Sequence, residues 1–259
     1  LNDWHAFVNA LGDAGYVNKG MISSENTVPL TFAITLIAKH RFGIRGIELQ
    51  RIAKRWFFMA ILTQMYTGNF ESVFEQQMNS INELKDPESF RSWVDGEIAA
   101  RLTDDFFAVT LPNELDKNRA SGPVWNGFLA AQVILGSRVL FGTGTVAQLL
   151  LPSSSGKKKA YDKHHVFPAN FLKGGPYENL RDRRANFVCV DYQKNIYISD
   201  DNPNEYVTRF RKELGDEAYK VSCKENALPI GFENMDYSDF LDARRVLMSD
   251  MIKQAYLRL

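Results

Sequence analysis

IELQRIAKRWFFMAILTQMYT, residues 47–67, is the stretch on which the fold class turns. Leu49, Ile52, Trp56, Met59, Thr63 and Tyr66 recur at intervals of three and four, the repeat that lines one face of an α-helix, and Gly68 stands where such a helix would stop. Phe57, Phe58 and Ile61 make the other flank apolar too. A helix apolar on most faces belongs inside a bundle, not on its surface. Working outward, Asp86-Pro87 pairs a good N-cap with a first-turn proline and predicts a helix running through Ser92, Trp93, Ile98 and Leu102. Further helices are expected after Pro123 and after Pro203, and a last one from Asp239 to Leu259 with Phe240, Arg244, Leu247 and Met251 on one stripe. Trp56, Trp93 and Trp125 invite a base-stacking reading, but core packing is the expectation for aromatics at helical spacing.

A chain of 259 residues with 45% apolar and 12% aromatic side chains has enough apolar surface to fold without staples, which excludes a disordered or low-complexity scaffold. Its 31 Lys and Arg balance 31 Asp and Glu, so wholesale coating of a polyanion is not its role and any nucleic-acid site must be a local patch. The longest apolar run, Trp56 to Leu62, is far short of the roughly 20 residues needed to cross a bilayer, so no membrane partner is expected. Cys189 and Cys223 form no metal-binding spacing and are expected as two buried thiols in a reducing cytoplasm. The first 30 residues lack the apolar core of a signal peptide, and the opening Leu1 suggests a piece of something longer.

Around residue 150 the character changes. Leu149-Leu150-Leu151-Pro152 leads into Ser153-Ser154-Ser155-Gly156 and Lys157-Lys158-Lys159, a polar stretch that divides an expected helical subdomain, 1–150, from a second one, 151–259. Short strands are expected at His164–Phe167 and Phe187–Val190, with Asp191 as the N-cap of a helix holding Asn195. The fold class read from these signals is mainly α (α+β), a helical bundle with a small embedded ββα insert.

Two of the four histidines are adjacent, in Asp162-Lys163-His164-His165-Val166-Phe167-Pro168, and Asn186 and Asn195 follow nine residues apart. Together these elements resemble the HNH, or ββα-metal, nucleases. The match is closer to the C-terminal nuclease module of GmrSD-type restriction proteins, whose pattern of His-His-Ile-Phe-Pro, Asn, Asn and Pro-x-x-Tyr finds its last element in Pro203-Asn204-Glu205-Tyr206. The likeness covers residues 160–206, with a weaker helical similarity, carried by Arg55-Trp56-Phe57 through Tyr66, reaching back to about residue 50. It implies a metal-dependent DNA endonuclease, the effector of a bacterial anti-phage system, working with an NTPase or sensing domain that this chain does not contain. It implies His165 as general base, His164 and Asn195 as ligands of Mg2+ or Mn2+, and Asn186 as the amide that orients the base; Asp162 is the alternative ligand.

These assignments suit the chemistry. Phosphodiester hydrolysis needs a water deprotonated in line with phosphorus, for which a neutral imidazole is a suitable base. A hard divalent ion accepts imidazole, amide oxygen, phosphate and water, and it offsets charge on the leaving oxygen. Between Gly156 and Arg184 eight Lys or Arg face three acids, a local excess of five positive charges centred on the motif. Lys163, Arg181, Arg183, Arg184 and Lys194 are the expected phosphate contacts, and nothing codes for base readout. Two other readings stay open: a nuclease acting on RNA, and a helical DNA-binding or assembly module with a vestigial, non-cutting HNH site. Gly142-Thr143-Gly144 is too short to be a phosphate-binding loop.

Overall fold

The computed structural model describes residues 2–151, 161–191, 198 and 200–259; of Tyr161 and Asp162 the backbone alone is described. The chain is mainly helical with one two-stranded antiparallel sheet. In chain order the helices are α1 (Asn2–Asp13), α2 (Thr27–His40), α3 (Gly46–Leu62), α4 (Phe70–Glu83), α5 (Pro87–Arg101), α6 (Leu111–Leu115), α7 (Pro123–Leu135) and α8 (Val146–Leu150). The strands β1 (Tyr161–His165) and β2 (Phe187–Asp191) flank the short helix α9 (Ala169–Leu172). The helices α10 (Pro203–Leu214), α11 (Asp216–Glu225) and α12 (Tyr237–Tyr256) follow.

The decisive stretch forms α3, in which every residue from Trp56 to Leu62 is buried, as its two-sided apolar pattern requires. The helix ends at Leu62, earlier than Gly68 suggests. Gln64 adopts a left-handed backbone (φ 55°) in the turn that follows, and Gly68 (φ 70°) serves the approach to α4 instead. Helix α3 packs against α1, α2, α5 and α7, while α7 also receives α12. Side chains from both sides of residue 151 therefore enter one core. Close approach has a visible cause at Gly15, where a Cβ would lie 2.4 Å from the Ala130 carbonyl oxygen of α7, and where φ is 87°.

Start signals are the best-read features of the chain. The Asp86 carboxylate accepts from the Ser89 N–H (2.8 Å) while the Ser89 hydroxyl accepts from the Asp86 N–H (3.2 Å), a reciprocal cap at the start of α5. Proline opens α7 and α10, as expected. Trp56 and Trp125 are fully buried, and Trp93 stacks on Trp56 at 5.1 Å, so the aromatics are core. On α12, Phe240, Arg244 and Met251 are buried but Leu247 lies half in solvent, its place in the core taken by Met248 and Ile252. Cys189 and Cys223 are buried free thiols. No helix among the described residues is long and apolar enough to cross a membrane.

The sheet pairs His165 with Phe187, His164 with Val188 and Lys163 with Cys189. The first strand therefore lies three residues before its expected start and stops before Val166. Val166 and Phe167 are apolar because they plunge into the core, not because they sit on a ladder: the Val166 N–H already reaches the Asn186 carbonyl (2.7 Å) as the chain turns toward Pro168. Val188, Cys189 and Val190 are all buried, so β2 is covered on both faces, and its Cys189 carbonyl accepts from the Leu140 N–H (2.9 Å). Asp191 is the last residue of β2 and not an N-cap; the expected helix with Asn195, like Ser153–Lys159, lies outside the described residues.

Candidate functional site

Strand alternation sends adjacent side chains to opposite faces, so His164 and His165 leave β1 on different sides of the hairpin. His165 is three-quarters buried; its ring packs on Phe187, its cross-strand partner, at 4.3 Å between centroids. Its Nε2 lies 3.0 Å from Oδ1 of Asp182. A carboxylate can only accept, so Nε2 carries the proton and the imidazole lone pair is left on Nδ1. A histidine held this way is oriented to take a proton through one defined atom.

Asp182 is the residue that sequence reasoning missed. It counted there only as one of three acids in a basic stretch. Its signal, a lone carboxylate inside Arg181-Asp182-Arg183-Arg184, gives no hint that the chain folds back 17 residues to His165. The backbone around it is fixed from two sides. The Arg119 N–H donates to the Asp182 carbonyl (2.8 Å), and the Asn186 Nδ2 donates to the Arg181 carbonyl (2.9 Å).

Asn186 is fully buried, and its side-chain amide bonds to backbone groups and not to the histidine ring. Its Oδ1 accepts from the Phe167 N–H (2.8 Å) and its Nδ2 donates to the Phe167 carbonyl (3.0 Å) as well as to Arg181. One amide thus ties the segment leaving His165 to the segment entering Asp182. Tyr206 adds a second tie, its hydroxyl donating to the Val166 carbonyl (2.6 Å) from α10. The three motif elements within the described residues therefore meet at the turn after β1.

Beneath this turn runs Arg244 of α12, fully buried, with Nη1 donating to the Ala185 carbonyl (2.6 Å) and Nη2 to the Asn226 carbonyl (3.4 Å). Burial pushes its guanidinium down to about 9. Nothing in the sequence singled out this support beyond its place on the helical stripe.

The expected phosphate contacts divide. Lys163 donates through Nζ to the Ala120 carbonyl, and Arg183 donates through Nη1 to the Asp116 carbonyl. Arg184 donates to the Arg119 carbonyl (3.1 Å) and the Glu114 carbonyl (2.6 Å), and burial lowers its guanidinium below the usual arginine value. These three cations fasten the 114–120 segment to the hairpin and to the turn before β2. Arg181 is the one directed at the site, its guanidinium 3.6 Å from Asp182 and 3.5 Å from Glu178. Lys194 lies outside the described residues.

The same holds for Asn195 and for the side chain of Asp162. Among the described residues no group of three or more His, Cys, Asp or Glu could hold a metal ion. His164 alone is too small a donor set for a hard divalent cation, which takes six or more oxygen-rich ligands. Within the described residues the paired groups of the site are His165 and Asp182. Neither protein-family models, curated proteins nor solved structures match this chain.

Proposed function

We propose that this chain is a DNA endonuclease module, hydrolysing phosphodiester bonds as the effector of a bacterial restriction system whose sensing or NTPase component lies elsewhere. The observation that carries the reading is the His165–Asp182 pair on a two-stranded hairpin, with the turn after it tied down by Asn186 and Tyr206. An imidazole with its proton fixed on Nε2 takes a proton from water through Nδ1, and Asp182 balances the imidazolium that results. The proton leaves on His165 as the water oxygen forms its bond to phosphorus and the bridging oxygen departs. Arg181, close to the same carboxylate, is the cation best placed to meet a nonbridging oxygen. Dependence on magnesium or manganese through His164 and Asn195 belongs to the proposal; such an ion would stabilise charge on the leaving oxygen.

The test is nicking of supercoiled plasmid by purified protein, with and without EDTA. His165→Ala is expected to lose on the order of 10²–10⁴ in rate while keeping its fold and its DNA affinity. Wild-type nicking by that variant overturns the base assignment, and undiminished nicking in EDTA overturns the metal. A structured RNA substrate run beside the plasmid decides between DNA and RNA. Binding without cutting of either would favour the assembly-module reading.

A further inference from the structure

A cavity of about 430 Å³ opens beside the turn that follows His165, within the roughly 300–1,000 Å³ range of small-ligand pockets. Four aromatic rings join Leu172 and Met235 in its apolar lining: Phe167 and Tyr237, both buried, with half-buried Tyr177 and an exposed Phe171 at 44% of its full surface. Phe167 lies 5.1 Å from Tyr237 and 6.3 Å from Phe171 between ring centroids, so these rings form one wall. The polar lining accepts hydrogen bonds. Glu233, a carboxylate 7% exposed, accepts from the Tyr219 hydroxyl (2.6 Å) on one oxygen and lies 3.6 Å from the Arg211 guanidinium on the other, and Asp236 accepts from the Tyr177 hydroxyl (2.9 Å). Asn234 adds an amide, its Oδ1 accepting from Asn204 Nδ2 (2.6 Å). No lysine, arginine or histidine is among the described residues that line the cavity.

Such a lining, with no cation of its own, does not favour phosphate. It suits a flat, uncharged ring that presents N–H donors along one edge and a π face to Phe171. Both arms of the candidate site run into it. Phe167 is two residues beyond His165, and the Tyr237 hydroxyl donates to the Leu180 carbonyl (3.1 Å), two residues before Asp182.

We propose that this cavity is a nucleobase pocket, taking an unstacked base that carries an exocyclic amine from the strand cut at His165. Aromatic stacking supplies affinity for any base, and the carboxylates favour guanine, cytosine or adenine over thymine, which has no amine. The link to the cut strand rests on the nuclease reading above; the pocket itself does not.

The experiment is ligand-observed NMR titration of intact protein with free deoxyguanosine, deoxycytidine, deoxyadenosine and thymidine, beside the plasmid assay. The three amine-bearing nucleosides are expected to bind better than thymidine. Phe171→Ala, which removes a solvent-facing ring, should weaken binding about tenfold. Asp236→Asn keeps a residue able to cap α12 and should narrow the preference over thymidine. The proposal is overturned if no nucleoside binds, if thymidine binds as well as the others, or if Phe171→Ala binds them as tightly as wild type. It is also overturned if an arginine-containing peptide displaces the nucleosides and binds more tightly. Nucleosides contain no phosphodiester, so binding without any cleavage overturns the nuclease reading alone, and cleavage without nucleoside binding overturns the pocket alone.

Discussion

Asp182 is where a single side chain changes what the site can do. Its carboxylate fixes the tautomer of His165, so Asp182→Asn, which can present an N–H to Nε2 and favour the wrong tautomer, is expected to lower the cleavage rate about 10–100-fold with little change in substrate affinity. Steady-state kinetics on a nicked-circle assay check this through the split between kcat and KM; equal rates for the two proteins would remove Asp182 from the mechanism. The thiols offer a prediction on stability. Burial pushes both Cys189 and Cys223 up to about 12 from an ordinary value near 9. Between those limits the unfolded chain has lost protons that the folded chain keeps, so their contribution is whole below pH 9 and drains away as pH rises toward 12. Urea midpoints measured from pH 8 to 11 should fall, and should fall less steeply in a Cys189→Ala, Cys223→Ala double variant.

Among elements, the turn after β1 is held by groups from three separate places: Asn186 from the turn just before β2, Tyr206 from α10 and Arg244, through Ala185, from α12. Each satisfies backbone groups that the end of the ladder leaves without strand partners, since β1 stops at His165 and the chain dives inward. Tyr206→Phe removes the hydroxyl from the Val166 carbonyl at almost no change in shape. It is expected to cost about 1–2 kcal/mol of folding stability, read as a shift in denaturant midpoint, together with a drop in nicking rate larger than Asp86→Ala produces. Asp86→Ala breaks the cap of α5, remote from the hairpin, and should lower the melting temperature by roughly 2–4 °C without touching activity.

For the molecule as a whole, the basic cluster does two jobs that its composition does not separate. Lys163, Arg183 and Arg184 hold the 114–120 segment, while Arg181 faces the site. Arg184→Ala should therefore act on the fold, costing about 1–3 kcal/mol through two carbonyls left without a charged donor. Arg181→Ala should leave the melting temperature alone, weaken duplex binding for all sequences and reduce the slope of log affinity against log salt by about one. Differential scanning fluorimetry and binding titrations across salt separate the two outcomes. An Arg184→Ala protein of unchanged stability would return that residue to the phosphate path.

What the sequence determined by itself was local. The inward-facing run of α3, the reciprocal cap at Asp86 and Ser89, the prolines that open α7 and α10, and the second strand all follow from spacings within a few residues, where helix and strand geometry act directly. Asn186 and Tyr206 were legible as motif positions, but neither their burial nor their contacts were. Tertiary structure alone decided that His165 would meet Asp182, that Asn186 would bind backbone in place of the imidazole, and that three cations would turn inward to carbonyls. Those outcomes depend on which distant segments are brought together when the chain packs, as α7 and α12 are. A charged side chain reads the same in sequence whether water or a backbone carbonyl satisfies it, and only packing chooses between them.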